Sequence, residues 1–275
     1  MRIEQLGDGE PEIAILAAVH GDEPCGVHAV ERLLADDPAV ERPVKFVVAN
    51  ERALARGVRY TESDLNRVFP GSPDADSHEE RLAHYLLNEL RGLTTFSMHS
   101  TQSYDEPFAV VDEAGALADS ICPYLSVDAV VEATGFTEGR LVEYADVVEV
   151  ECGLQGTSKA AENAVTLAYE FLAAVGALPS ERTPAEEVPV FRLRKLVPKR
   201  TAEEYAVFAA NFQRVAAGEP FAAIDGEKLV ADEPFYPVLM SPYGYEEEFG
   251  YAGELSGQLG GDPVQRDSAT RSSSG

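Results

Sequence analysis

Positive charge is scarce in this 275-residue sequence: 22 Lys and Arg stand against 48 Asp and Glu, a formal net charge of -26. Only five of the basic residues are Lys. A field of that sign repels phosphate backbones and anionic lipid, so nucleic acid and membrane surfaces are excluded as partners held by general charge. An acidic, lysine-poor surface suits a protein that works in concentrated salt, where a Debye length of about 3 Å screens self-repulsion. The composition therefore points to a halophilic source, with a merely acidic cytosolic protein as the alternative; it speaks to habitat and not to chemistry. Long apolar runs are also missing: none approaches the ~20 residues of a membrane span. The opening Met1-Arg2-Ile3-Glu4-Gln5 has neither the apolar core nor the cleavage site of a signal peptide, so a soluble cytoplasmic protein is expected. Cysteine is sparse as well. Cys25, Cys122 and Cys152 are odd in number and far apart, with no CxxC, which excludes a disulfide framework and predicts buried reduced thiols.

What is present is globular. Hydrophobic residues make up 45% of the chain, enough for a core without staples. Short apolar runs predict strands at 12–19, 44–49, 94–98, 108–111, 129–132 and 147–150. Helical patterns run over 23–34, with Pro24 in the first turn, over 77–91, with Leu82, Tyr85, Leu86 and Leu90 on one face, and over 160–175. Alternating strands and helices predict an α/β domain over 1–180, its sheet mostly parallel and flanked by helices. The stretch 180–189 is polar and Pro-rich and reads as a linker. Short β segments follow at 190–196, 204–208, 221–224, 228–230 and 236–240, with a hairpin signal at Asp225-Gly226. They predict a small, mostly β second domain over 188–254, before a Gly/Ser-rich tail at 255–275 that reads as disordered.

Ligands of parallel sheets sit beyond the carboxyl ends of the strands. His20 and His99 each follow a predicted strand, which places both at one rim. His20-Gly21-Asp22-Glu23 has HxxE spacing, and His99 completes a His₂Glu set with a fourth position open for water, the donor set of a catalytic zinc. On spacing alone the same residues also fit a capped helix start and a structural histidine. His28, His78 and His84 read as structural or solvated.

Arg59 and the run Asp64-Leu65-Asn66-Arg67 add a second motif, and Glu151-Cys152-Gly153 a third. In order and spacing, HGDE at 20–23, DLNR at 64–67, His99 and Glu151 resemble the succinylglutamate desuccinylase/aspartoacylase family, which is related to the zinc carboxypeptidases. Phe235-Tyr236-Pro237-Val238 and residues 243–248 resemble that family's C-terminal part, so the likeness runs over about 10–254. The resemblance implies a zinc carboxypeptidase-like fold and hydrolysis of a small N-acyl amino acid, an anionic substrate. It implies one zinc on His20, Glu23 and His99, with Glu151 as general base and Arg59 as oxyanion stabiliser. Glu149 is the rival base, since residues two apart on a strand share a face. Asn66 and Arg67 would hold a substrate carboxylate, Arg140 a second one, and Tyr245 would reach the site, with Tyr243 as the alternative register. Asp64 would brace the loop or a metal-ligating histidine, and Cys152 would face the core. Phe136, four residues before Arg140, stands where the family has an aromatic, but lacks a hydroxyl. A carboxypeptidase-like peptidase and a non-catalytic binding protein of the same fold are the competing expectations.

Overall fold

The computed structural model describes residues 1–179, 183–185 and 187–260. Strands β1 (Arg2–Leu6), β2 (Ile13–Ala17), β3 (Val44–Val48), β4 (Thr94–Thr101), β5 (Phe108–Val111), β6 (Val130–Glu132), β7 (Val147–Leu154), β8 (Val188–Pro198), β12 (Tyr236–Val238) and β13 (Glu248–Leu259) form one sheet in the order β1-β3-β2-β4-β7-β5-β6-β8-β13-β12. The central strands β3, β2, β4 and β7 are parallel, and β5 runs antiparallel to β7. A separate three-stranded sheet holds β9 (Tyr205–Val207), β10 (Pro220–Ile224) and β11 (Glu227–Val230). Its β10–β11 hairpin turns at Asp225 and Gly226, both at positive φ (49° and 79°), as the Asp-Gly pair predicts.

Helices α1 (Cys25–Asp36), α2 (Glu51–Leu54), α3 (His78–Leu90), α4 (Ala116–Ile121) and α5 (Ser158–Ala174) cover the large sheet. None of the described helices is long and apolar enough to cross a membrane. Alternation along the strands decides which residue faces which layer. Ile13, Ile15, Ala17, Phe96, Met98, Val148, Val150 and Cys152 pack on one face with Val30 and Leu33 of α1 and Leu167 and Phe171 of α5. Phe96 stacks on Phe171 at 4.8 Å, and removing such a buried ring costs about 3–5 kcal/mol. Ala14, Leu16 and Val47 face the other way, toward Leu82, Ala83 and Leu86 of α3. Val147 at the start of β7 joins that second face, and toward the strand ends it turns polar, with Ser97 and His99 on β4 and Glu149 and Glu151 on β7. In register, Ser97 stands beside Glu149 and His99 beside Glu151.

Several expectations are corrected. Tyr85 is 51% exposed, and Ala83 takes the core position expected of it, because Leu82, Leu86 and Leu90 repeat every four residues and their stripe drifts away from Tyr85. Pro24 caps α1 and does not lie in its first turn. Strand β4 continues through His99 to Thr101 because its pairing with β7 continues, so His99 sits in the strand and not past it. Strand β13 reaches Leu259, which is 4% exposed, so ordered structure runs past the tail boundary expected at 255. Residues 261–275, and 180–182 and 186 of the expected linker, lie outside the described residues. The sheet is continuous across the boundary expected at 180–188, since β8 pairs with β6.

Candidate metal centre and active site

After β2 the chain turns through Ala18, at φ 53°, and delivers His20 and Glu23 to the rim of the sheet ahead of α1. Gly21 permits this turn: a Cβ there would lie 2.1 Å from the Ala53 carbonyl carbon. His20, Glu23 and His99 are buried (3–4% exposed), and one donor atom of each lies within 4.8 Å of the others. His20 Nδ1 is 2.8 Å from Glu23 Oε1, and His99 Nδ1 is 3.1 Å from Glu23 Oε2. The outer ring nitrogens are tied elsewhere, His20 Nε2 to Asp64 Oδ1 at 3.1 Å and His99 Nε2 to Ser97 Oγ at 3.0 Å. A carboxylate only accepts, so both ring nitrogens of His20 donate here, Nε2 to Asp64 and Nδ1 to Glu23; a metal would replace the Nδ1 proton while Asp64 keeps the one on Nε2.

The electrostatics fit a cation at this centre. Burial opposes charge on His99, yet the hydrogen bond to Glu23 and the nearby carboxylates raise its pKa to about 10. His20 is raised too, with burial outweighed by Glu23 and Asp64. Burial opposes ionisation of Glu23, but the two histidines pull its carboxyl well below the usual range. Two imidazoles and a carboxylate converging this closely, in a site that favours positive charge, match the His₂Glu donor set of a divalent metal.

Asp64 is the hub of the surrounding loop. It accepts from Arg59 Nε at 2.9 Å and from Asn66 N at 2.9 Å while facing His20. Arg59 also donates to Glu23 Oε1 at 3.2 Å, so its guanidinium is held beside the centre by two carboxylates. Asn66 is 4% exposed; its Oδ1 accepts from Leu141 N at 2.8 Å and its Nδ2 lies 3.5 Å from Glu149. It thus serves mainly as frame, with one amide hydrogen left for a ligand. Arg67 donates to Asn66 O and Arg140 to Tyr251 Oη. Among the described residues neither forms an ion pair. Burial and the charge of Arg140 both depress the Arg67 pKa, against the pull of Asp64, so two guanidiniums face one pocket with no directly paired carboxylate among the described residues.

Glu149 and Glu151 point into the same cavity, which has a volume of about 100 Å³ and is also lined by Ser100, Gln102, Gln155 and Tyr245. Glu151 Oε2 is buried with no hydrogen-bond partner among the described residues. Burial and the charge of Glu23 raise its pKa to about 7 against the pull of His99. Tyr245 lines the pocket, whereas Tyr243 is 61% exposed and packs on Tyr205. Lys199 Nζ binds the carbonyls of Pro242 and Tyr245 and so pins this loop. Phe136 stays outside the pocket, edge-on to Tyr251 at 5.4 Å. The aromatic partner of Arg140 is therefore Tyr251 of β13, a residue that sequence reasoning missed. The three cysteines are buried thiols, and Cys25 donates to the carbonyl of His99. His28 is exposed, and His78 and His84 are half-buried on α3, all three outside this pocket. A larger cavity of about 570 Å³ lies at the opposite end of β7, around Leu87, Val111, Leu117 and Tyr144; no histidine lines it.

A family model described as the succinylglutamate desuccinylase/aspartoacylase catalytic domain matches residues 9–170. The succinylglutamate desuccinylase of Pseudomonas fluorescens is 30% identical over 94 residues, which is 33% of this chain and 28% of that protein. The probable aspartoacylase of Prochlorococcus marinus is 31% identical over 80 residues, 28% of this chain and 27% of the relative. The chain thus spans little more than a quarter of the length of these curated relatives. Among solved structures, the product-bound ectoine utilization protein EutE (DoeB) from Ruegeria pomeroyi superposes with a TM-score of 0.74 at 20% identity, covering 94% of this chain and 88% of that one. Murine aminoacylase 3 superposes with a TM-score of 0.70 at 21% identity, covering 92% and 99%. At these identities the likeness is one of fold.

Proposed function

The chain belongs to the succinylglutamate desuccinylase/aspartoacylase family, and from that premise we propose that it hydrolyses the amide bond of a small N-acyl amino acid, using one zinc ion held by His20, Glu23 and His99. The observation that carries the reading is the unpartnered Glu151 Oε2, which opens into the same cavity as that convergent triad. Zinc bound there would polarise the scissile carbonyl and lower the pKa of a water.

Glu151 accepts the proton of the attacking water and returns it to the leaving amine. Its raised pKa suits both halves of that task. Arg59, held in place by Asp64 and Glu23, supplies positive charge where the carbonyl oxygen becomes negative. Arg67 and Arg140 hold substrate carboxylates through two parallel hydrogen bonds each, a geometry a guanidinium matches and an ammonium does not. The remaining N–H of Asn66 and the Tyr245 hydroxyl complete the anion pocket. Leu239, Ser241, Gly244 and Tyr245 close the cavity from the C-terminal part of the chain, which favours small substrates over peptides.

The test is a panel of N-acetyl, N-succinyl and other N-acyl amino acids with release of free amino acid as the readout. Turnover that chelator abolishes and zinc restores is expected. Faster release from blocked dipeptides would move the reading to a carboxypeptidase-like peptidase, and a folded, zinc-loaded protein without turnover would move it to a binding protein.

A further inference from the structure

Glu79 does not line the pocket, yet it is fully buried, at 0% exposure. Among the described residues no cation pairs with it. Its Oε1 accepts from Thr61 N and Thr61 Oγ1, both at 2.8 Å, and from Asn50 Nδ2 at 3.2 Å. Its Oε2 accepts from Glu62 N at 3.1 Å and Ser63 N at 3.2 Å. Burial alone would neutralise such a carboxyl, but these donors hold its pKa at about 2, so the group is a buried anion satisfied by a loop. Its place in the first turn of α3, behind the Ser77 cap, adds the favourable end of the helix dipole. Glu62 returns the contact by accepting from His78 N at 2.7 Å, so 61–63 and the start of α3 are clasped reciprocally.

Those three residues have no helix or strand of their own, and the next residue is Asp64. From there the chain of contacts is direct: Asp64 to His20 Nε2, to Arg59 Nε and to Asn66 N. Asn50, the fifth donor's owner, also anchors its own N–H on Ala18 O, in the turn that precedes His20. Glu79 therefore touches the 61–63 loop directly and reaches the turn before His20 through Asn50, without touching the centre.

We propose that Glu79 is a positioning residue, whose carboxylate fixes the backbone of 61–63 and thereby sets Asp64 against His20 and Arg59 and sets the approach of Arg67. The kinetic part rests on the hydrolase reading; the metal-binding part stands on the triad alone.

The experiment uses the full chain with Glu79→Gln, Thr61→Val and Glu80→Gln. Glutamine keeps the size of the side chain and one acceptor oxygen but turns an NH₂ toward two backbone N–H groups. Zinc affinity is read by competition with a chromophoric chelator, and KM and kcat by amino-acid release, all well below each variant's melting temperature. Glu79→Gln should weaken zinc binding and raise KM about tenfold each, the scale seen when an outer partner of a ligand is lost. Thr61→Val, which removes one donor, should move both in the same direction by about threefold, the scale of one hydrogen bond. Glu80→Gln removes the same charge one residue away and should move neither. A lowered melting temperature in Glu79→Gln, with zinc affinity and KM within about twofold of wild type, would overturn the proposal, since a merely structural role moves only the former. If Glu79→Gln does not fold, Thr61→Val decides by the same readouts. If the wild type cleaves no N-acyl amino acid, the hydrolase reading fails and the zinc measurement still decides the role of Glu79.

Discussion

Replacing Glu151 by Gln keeps the outline of the side chain and removes its capacity to take a proton. Glu151 stands beside His99 in the β4–β7 register, but it is not among the three groups whose donor atoms converge. The zinc content should therefore stay at the wild-type level. Loss of a general base costs about 10²–10⁴ in rate. That is about 3–5 kcal/mol of barrier, so kcat should fall by about a thousandfold while KM stays close to wild type. The pH profile supplies an independent check. In the metal-free protein, burial and the charge of Glu23 raise the Glu151 pKa to about 7, partly offset by His99. A base works only when ionised, so kcat rises as pH rises through that pKa. A neighbouring cation favours the carboxylate and draws the pKa down, which places the acid limb at or below about 7 in the loaded enzyme. That limb should vanish in Glu151→Gln. The assay is steady-state amino-acid release across the pH range, with zinc measured on the same samples. Wild-type turnover in Glu151→Gln, with Glu149→Gln inactive, would refute the assignment and move the base to Glu149.

Arg67→Met should raise KM about ten- to a hundredfold with kcat largely kept, because it removes charge-assisted hydrogen bonds worth about 1.5–3 kcal/mol to a bound carboxylate; an unchanged KM would remove Arg67 from the anion pocket. Gly21→Ala places a Cβ 2.1 Å from the Ala53 carbonyl carbon and 2.2 Å from Leu54 N, so backbone must move beside His20. Thermal melting should show a loss of about 1–3 kcal/mol, and chelator competition a weaker zinc site. With a net charge of -26, the protein should melt at higher temperature as KCl rises from about 0.1 M to about 1 M, where the Debye length shortens from ~10 to ~3 Å. A melting temperature indifferent to salt would count against a high-salt habitat.

The sequence disclosed the site better than its surroundings. His20 and Glu23 are local to one turn, and Asp64, Asn66 and Arg67 to another, so their spacing carried the pattern without knowledge of packing. His99 is legible as a ligand candidate, but the strand runs three residues past its expected end: the apolar run stops at Met98, while alternation continues through polar residues on the site face of β4. The choice between Tyr243 and Tyr245 needed the fold, because both lie on one irregular loop whose course is set by Lys199. Tyr251 and Glu79 left no local signal at all. Tyr251 meets Arg140 from 111 positions away, and Glu79 looked like one acid among several at a helix start. From 255 on, strand β13 reads as tail because glycine and serine break its alternation, although pairing with β8 runs, through bulges, to Leu259. Strand β1 was missed for a related reason: on an edge, with a mostly exposed sequence, it has no apolar run to reveal it.

The most direct test of the metal centre is zinc per chain, by mass spectrometry, on full-length protein purified without added metal, beside His99→Ala. About one zinc per chain in the wild type, lost in the variant, is predicted from a His₂Glu set with one open position. A folded wild type that neither carries nor takes up zinc, or a His99→Ala protein that keeps it, would contradict the assignment of His20, Glu23 and His99.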